Sequence, residues 1–242
     1  MPQNIFTGPV AEGYDLGAPE MSEPALLEAT VHFLADAAEG EAALEFGIGT
    51  GRVAIPLSQR GVEVHGIDIS EDMVRQLREK PGSESIAVTV GDFATTAVPG
   101  TFALVYLVYN ALSNLTTQAE QVACFRNAAR HLEPGGRVVV EMFVPDLRRF
   151  PPGAVALAFD VSVSHVGFDT IDVATQRGVS HHYFVEGRGG RFDSPFRYAW
   201  PAEMDLMAQL AGLTLRERWE DWDRSPFTSE SGNTISVWER TA

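Results

Sequence analysis

This chain of 242 residues has little cysteine, little lysine and no long apolar run. Cys124 is the single cysteine, so neither an intrachain disulfide nor a cysteine metal cluster can form. Its setting, TTQAEQVACFRNAARHL, reads as a helix in which Cys124 is a small buried hydrophobe. Lys80 is the single lysine, and 18 Lys and Arg face 33 Asp and Glu, for a formal net charge of −15. A nucleic-acid or anionic-membrane partner would need a basic face to neutralise phosphate, so neither is expected. A cationic ligand is compatible with this charge. No apolar run reaches the length of a membrane span, and the opening stretch MPQNIFTGPVAEGYDLG lacks the basic and apolar regions of a signal peptide, so a cytoplasmic location is expected. Histidines and carboxylates show no metal-ligand spacing, and no metal is expected.

What is present is a β-α alternation. SEPALLEATVHFLADA reads as a helix capped by Ser22, with Glu23 in its first turn and Leu27, Val31 and Leu34 as the buried stripe. AALEF is a buried strand, followed by glycines at 47, 49 and 51 and a helix near Arg52–Arg60. VEVHGIDIS is a second strand, SEDMVRQLREK a helix capped by Ser70, IAVTVGDF a third strand and FALVYLVYN a fourth. Thr117 and Glu120 form a capping box, Pro134-Gly135-Gly136 a turn, and RVVVEMFV a fifth strand. Strands separated by helix-length segments imply a doubly wound parallel sheet with ligands outside the strands' carboxyl ends. From Pro145 to Trp200 the rhythm changes to short strands joined by glycine-containing turns, an antiparallel meander inserted after the fifth strand. A helix, PAEMDLMAQLAG, and two terminal strands at the sheet edge complete the chain.

The glycine run sits between the first strand and its helix. Glycine permits positive φ and removes the Cβ that would hold a ligand off the backbone. Asp68 closes the second strand, where a carboxylate can accept both hydroxyls of a ribose; alternatively it caps the next helix. Asp92 and Phe93 follow the third strand, able to meet an adenine edge, or else a turn aspartate and a core phenylalanine. Dinucleotide sites space their glycines as G-x-G-x-x-G, whereas this run is G-x-G-x-G with Arg52 next. That spacing disfavours a nicotinamide-dependent oxidoreductase; the other rival reading is a non-catalytic cofactor-binding module.

Together, Glu45-Phe-Gly-Ile-Gly-Thr-Gly51, Asp68 and Gly91-Asp92-Phe93 resemble the class I S-adenosylmethionine-dependent methyltransferase family, as do LVYLVYNALSNL and HLEPGGRVVVEMF in the fourth and fifth strand regions. The resemblance implies a mostly parallel seven-stranded Rossmann-like α/β sheet. Residues 1–143 and 201–242 would bind S-adenosylmethionine, and 144–200 would cover a small-molecule acceptor. It implies that Glu45 belongs to the cofactor site, that Gly47, Gly49 and Gly51 lie near the methionine part of the cofactor, that Asp68 holds the ribose, that Ile69 packs on adenine and that Asp92 and Phe93 bracket its edge. Val108 would approach through its backbone, and Tyr14 would lean over the cofactor. The product would be S-adenosylhomocysteine. The sequence departs from the pattern at Glu45, where many members carry Asp, and at Ala103, which cannot bind a polar group.

An amine acceptor needs no strong base, whereas a hydroxyl profits from one of near-neutral pKa. Candidate catalytic groups are His181, His182 and Tyr14, with His165 and Tyr183 on the same insert. His181 and His182 are adjacent, so in a strand at most one faces a pocket. Tyr109, Asn110 and Arg197 are candidate acceptor contacts; their structural alternatives are core packing, helix capping and an insert core running from Phe192 to Trp200. Trp219, Trp222 and Trp238 read as packing. A monomer or homodimer, with N- or O-methylation left open, completes the expectation.

Overall fold

A computed structural model describes residues 4–17, 23–185 and 190–241. Two short helical turns, α1 (Pro9–Glu12) and α2 (Tyr14–Gly17), precede α3 (Pro24–Ala38), β1 (Ala43–Phe46), α4 (Ala54–Gln59), β2 (Val64–Asp68), α5 (Glu71–Arg78), β3 (Ala87–Val90), β4 (Phe102–Leu107), α6 (Gln118–His131) and β5 (Leu132–Phe143). Then come β6 (Ala156–Val161), β7 (His165–Asp172), β8 (Arg177–Phe184), β9 (Gly190–Arg197), α7 (Pro201–Leu210), β10 (Leu213–Trp219) and β11 (Asn233–Arg240).

The first sheet has seven strands in the order β10-β11-β5-β4-β1-β2-β3. Its β3, β2, β1, β4 and β5 run parallel, and β11 is antiparallel to both β5 and β10. This is the doubly wound sheet implied by the alternation, with the terminal strands as its antiparallel edge. Every residue of β1 is buried, as a strand covered on both faces must be. One face packs Leu44, Phe46 and Val105 against Phe125 and Ala128 of α6 and Met204 of α7. The other packs Ala43, Leu104 and Tyr106 against Val31 and Leu34 of α3 and Leu57 of α4. Each such fully buried aliphatic or aromatic side chain contributes about 2 kcal/mol, so the sheet is a rigid platform for whatever stands on its edge.

Local chemistry accounts for the helix boundaries. The Ser70 hydroxyl caps α5 by accepting from the Met73 N–H at 3.2 Å. Thr117 and Glu120 form the reciprocal capping box of α6. In α3, Val31 and Leu34 are buried and Leu27 is partly so, while Glu23 occupies the cap without a side-chain bond and Pro24 starts the helix; Ser22 lies outside the described residues. The helix after the glycines is shorter than expected, beginning at Ala54.

The fifth strand is longer than expected. Pro134-Gly135-Gly136 does not separate it from α6 but lies within it as a bulge: Phe102 pairs with Leu132 and Leu104 with Arg137, so β5 advances five residues for two of β4. The meander is a second, antiparallel sheet in the order β6-β7-β8-β9, with the stretch from Ala154 to Phe168 divided between two strands. It is anchored where Phe196 meets Phe143 edge to face at 5.9 Å and covers Gly178, whose Cβ would fall 2.3 Å from the Phe196 ring. Among the described residues, no helix is long and apolar enough to cross a membrane.

Candidate active site

The carboxyl ends of β1, β2, β3 and β4 converge on a crevice of about 880 Å³ open to solvent. Gly47 and Gly49 line it with φ of 77° and 55°, a region that L side chains rarely adopt. A Cβ on Gly47 would touch Ala111 at 3.4 Å and Phe93 at 3.7 Å, both crevice residues, in ordinary van der Waals contact, and so take up part of the slot. Gly51 does something different from what the glycine run implied. It does not line the crevice; its φ is 77° and its missing Cβ makes room for Leu77 Cγ, which would otherwise stand 2.9 Å away.

The loop is held down by two devices. Asp68, buried at the end of β2, accepts from the Gly49 N–H at 2.7 Å and the Ser70 N–H at 2.8 Å, one with each oxygen. Its pKa is raised by burial, and these bonds oppose the rise. The second device was missed in the sequence: a Cβ on Gly66 would lie 2.3 Å from Ile48 Cδ1, so only glycine in β2 lets the loop settle onto the strand. The signal was there, since an isolated glycine within a strand marks close approach.

Tyr14, Glu45, Ile69, Asp92, Phe93 and Val108 all line the same crevice. Glu45 is buried and accepts from the Tyr106 hydroxyl at 3.0 Å; burial pushes its pKa up to about 8. Asp92 turns one oxygen onto the Ala94 N–H at 2.9 Å. Tyr14 is raised far above the ordinary phenol range, by burial first and by Tyr109 second, so it stays a neutral hydroxyl and is no phenolate base. Arg52, unremarked as a site residue, also lines the crevice, with its guanidinium 5.9 Å from the Tyr109 ring centroid.

The N-terminal segment closes one side. Thr50 donates to Asp15 at 2.7 Å, and the same carboxylate holds Lys80 at 2.6 Å. The Gly8 N–H reaches Asp72 at 2.6 Å, and the Ser70 hydroxyl donates to the Phe6 carbonyl. These ties place Phe6 and Tyr14 over the crevice, their rings edge to face at 5.8 Å.

A second cavity, of about 3200 Å³ and open to solvent, adjoins the crevice; Phe6, Tyr14, Tyr109 and Asn114 line both. Its roof is one face of the second sheet, with Leu157 and Phe159 of β6, Asp169 and Ile171 of β7, Ser180 and His182 of β8, and Phe192, Ser194 and Phe196 of β9. Tyr109 and Asn110 line its floor in left-handed conformations, φ 49° and 58°. The Tyr109 N–H donates to Glu141, and Asn110 Oδ1 accepts from the Phe143 N–H at 2.7 Å. Asn110 therefore ties the exit of β4 to that of β5 and does not cap the turn Ala111–Asn114 with its side chain.

Two expected site residues are elsewhere. His181 points from the other face of β8, where it meets Asp193 at 2.8 Å and Thr170 at 3.0 Å. Arg197, expected at the acceptor, is 4% exposed and locked to Glu203 at 2.7 Å and to Gln121 and Gln176, binding β9 to α6 and α7. On β9 it alternates with Phe196, which lines the cavity, so the two side chains leave opposite faces of the strand. Cys124 is buried and its thiol is raised far above its usual range by burial, which fits packing. Trp222 and Trp238 are buried. Among the described residues, no cluster of three His, Cys, Asp or Glu is placed to hold a metal ion.

A parallel sheet with glycines at its first turn and an acid closing its second strand is the setting of a nucleotide-cofactor site. Residues 43–136 match the family model described as a methyltransferase domain. The chain is similar to the solved CcbJ methyltransferase of Streptomyces caelestis, at 35% identity over 96% of both chains with a TM-score of 0.86. It is 28% identical to cypemycin N-terminal methyltransferase of a Streptomyces species over 98% of each chain. It is also 29% identical to the dTDP-3-amino-3,6-dideoxy-alpha-D-glucopyranose N,N-dimethyltransferase of Streptomyces fradiae, over 77% of this chain and 74% of that one. The chain belongs to the class I S-adenosylmethionine-dependent methyltransferase family.

The crevice fits that cofactor. Gly47 leaves room where a Cβ would narrow the slot, and Glu45 and Asp68 line it together with the guanidinium of Arg52. Acidic side chains that can accept from hydroxyl and amino groups, with one guanidinium for a carboxylate, match the polar groups of an adenosyl sulfonium with an amino-acid tail.

Proposed function

We propose that this enzyme methylates an amine nitrogen of a small molecule seated in the large cavity. The observation that carries the reading is the junction of the two cavities. There an acceptor meets the cofactor end of the crevice, and among the described residues those shared by both, Phe6, Tyr14, Tyr109 and Asn114, include no imidazole and no carboxylate. A neutral amine brings its own lone pair and needs no base at that point, whereas a hydroxyl does. The similarity to N-methyltransferases of a peptide N-terminus and of an amino sugar supports the same acceptor chemistry.

In this reading Asp68 holds the ribose, Asp92 and Phe93 the adenine edge, Ile69 and Met73 its faces, and Arg52 the carboxylate of the amino-acid tail. When bound, the cofactor supplies an electrophilic methyl group. Tyr14 and Tyr109 confine the acceptor's approach to one line and exclude water from it, the main source of rate in such a transfer. The surplus proton leaves to bulk water through the open cavity. Residues 144–200 act as the acceptor cover, and the acidic surface keeps nucleic acid out.

Calorimetry with S-adenosylhomocysteine and with NAD tests the cofactor assignment: the first binds and the second does not. Incubation with S-adenosylmethionine and paired amine and alcohol panels, read by mass spectrometry, tests the acceptor. Methylation confined to alcohols would overturn the amine reading.

A further inference from the structure

The roof carries a hydrogen-bonded chain with a defined direction. Asp160 Oδ2 lies 2.6 Å from His165 Nδ1, and His165 Nε2 lies 3.1 Å from His182 Nδ1. The two imidazoles meet with centroids 5.2 Å apart and planes within 18° of each other. A carboxylate can only accept, so His165 carries its proton on Nδ1. A neutral His165 then has only a lone pair on Nε2, so His182 must donate from Nδ1. His182 Nε2 is left without a proton, on a side chain that lines the acceptor cavity.

The surroundings favour the neutral ring. Burial is the largest influence on His182 and lowers its pKa. Phe159 and Phe192 flank the imidazole at centroid distances of 5.3 and 5.7 Å, with Phe184 at 6.2 Å. His182 is absent from the residues shared by cavity and crevice, and in β8 it stands four residues beyond Gly178, the point where the roof is anchored.

Resting on the acceptor reading above, we propose that Asp160 and His165 are positioning residues that hold His182 as the Nδ1–H tautomer, so that Nε2 accepts a hydrogen bond from an O–H or N–H on the acceptor, in an aromatic-walled subsite remote from the methylated nitrogen. The acceptor is thus an amine whose far end carries a flat or apolar group with a donor. His182 selects the substrate and does not take the proton of the transfer.

Two measurements on the full chain loaded with S-adenosylhomocysteine test this. The first is two-bond 1H–15N correlation NMR of the histidine rings, titrated to follow His165, His181 and His182. His182 should be neutral near pH 7 with Nε2 unprotonated. His165→Phe should shift it toward the Nε2–H form, and His165→Gln, whose amide oxygen still accepts, should restore the Nδ1–H form. An Nε2–H ring in the wild type, or one indifferent to His165→Phe, overturns the relay. The second is ligand-observed NMR with matched probes, tyramine against phenethylamine. The hydroxylated amine should bind about three- to tenfold more tightly, the worth of one hydrogen bond, and His182→Phe should erase the difference. Equal affinities, or no binding of either, overturns the subsite. Because S-adenosylhomocysteine affinity is measured in the same samples, a failure of the roof is separable from a failure of the cofactor assignment.

Discussion

At the carboxyl edge of the parallel sheet, much of what faces the crevice is main chain or is spoken for by it: Gly47, Gly49, and Asp68 with both oxygens on backbone N–H groups. Across the cavity, β6 to β9 present side chains: phenylalanines, Ser180 bonded to Asp169 at 2.6 Å, and the imidazole of His182. The first region can accept very few residue types at each position, because backbone conformation and close packing dictate them. The second is a pleated face whose residues can be exchanged while the sheet persists. A cofactor common to a family suits the first construction, and an acceptor that varies from enzyme to enzyme suits the second.

That contrast predicts where substitutions are felt. Gly66→Val should be the most damaging, since its Cβ alone would sit 2.3 Å from Ile48; a loss of about 3 kcal/mol should appear in denaturant melts, together with lost S-adenosylhomocysteine binding. A variant that melts and binds like wild type would break the claim that the loop is seated by packing. Arg197→Leu should cost a similar amount, about 3 kcal/mol, by leaving buried polar partners unpaired, yet residual folded protein should still bind S-adenosylhomocysteine, which calorimetry would show.

Asp68→Asn should lower stability by about 2 kcal/mol and weaken S-adenosylhomocysteine at least about tenfold, because an amide nitrogen then faces a backbone N–H. Unchanged affinity would remove Asp68 from the ribose. For Glu45 the pH dependence carries the information. Its folded pKa, about 8, lies above the unfolded value, so the folded state holds the extra proton and the stabilisation is complete below the unfolded pKa and fades as pH rises toward 8. Wild-type stability relative to Glu45→Gln should therefore fall by about 1 kcal/mol per pH unit over that window. A flat difference in pH-dependent melts would show Glu45 ionised throughout. The smallest effect belongs to the roof: Ser180→Ala should cost less than about 1 kcal/mol and leave S-adenosylhomocysteine binding intact, changing only acceptor affinity.

How far the site was legible follows the same division. Gly47, Gly49, Asp68, Asp92 and Phe93 could be read from the chain because their residue types answer to backbone geometry at the end of a strand. Gly51 was read as a ligand contact, since a sequence shows that a Cβ is unwanted but not which neighbour forbids it; here the neighbour is Leu77. His181 and Arg197 are only candidates for the acceptor side in the sequence, because a two-residue period tells which residues share a face and leaves open which face looks at the cavity.

The amino-acid sequence alone determined the alternation of strands and helices, the open glycine turn and the acids beside it, because these depend on local conformation and burial period. Only the tertiary structure decided that Phe6 closes over the crevice beside Tyr14, that Gly66 seats the loop and that Asp160, His165 and His182 form one chain. Those depend on contacts between residues far apart along the polypeptide, such as Gly8 with Asp72 and His165 with His182, whose partners no local pattern names.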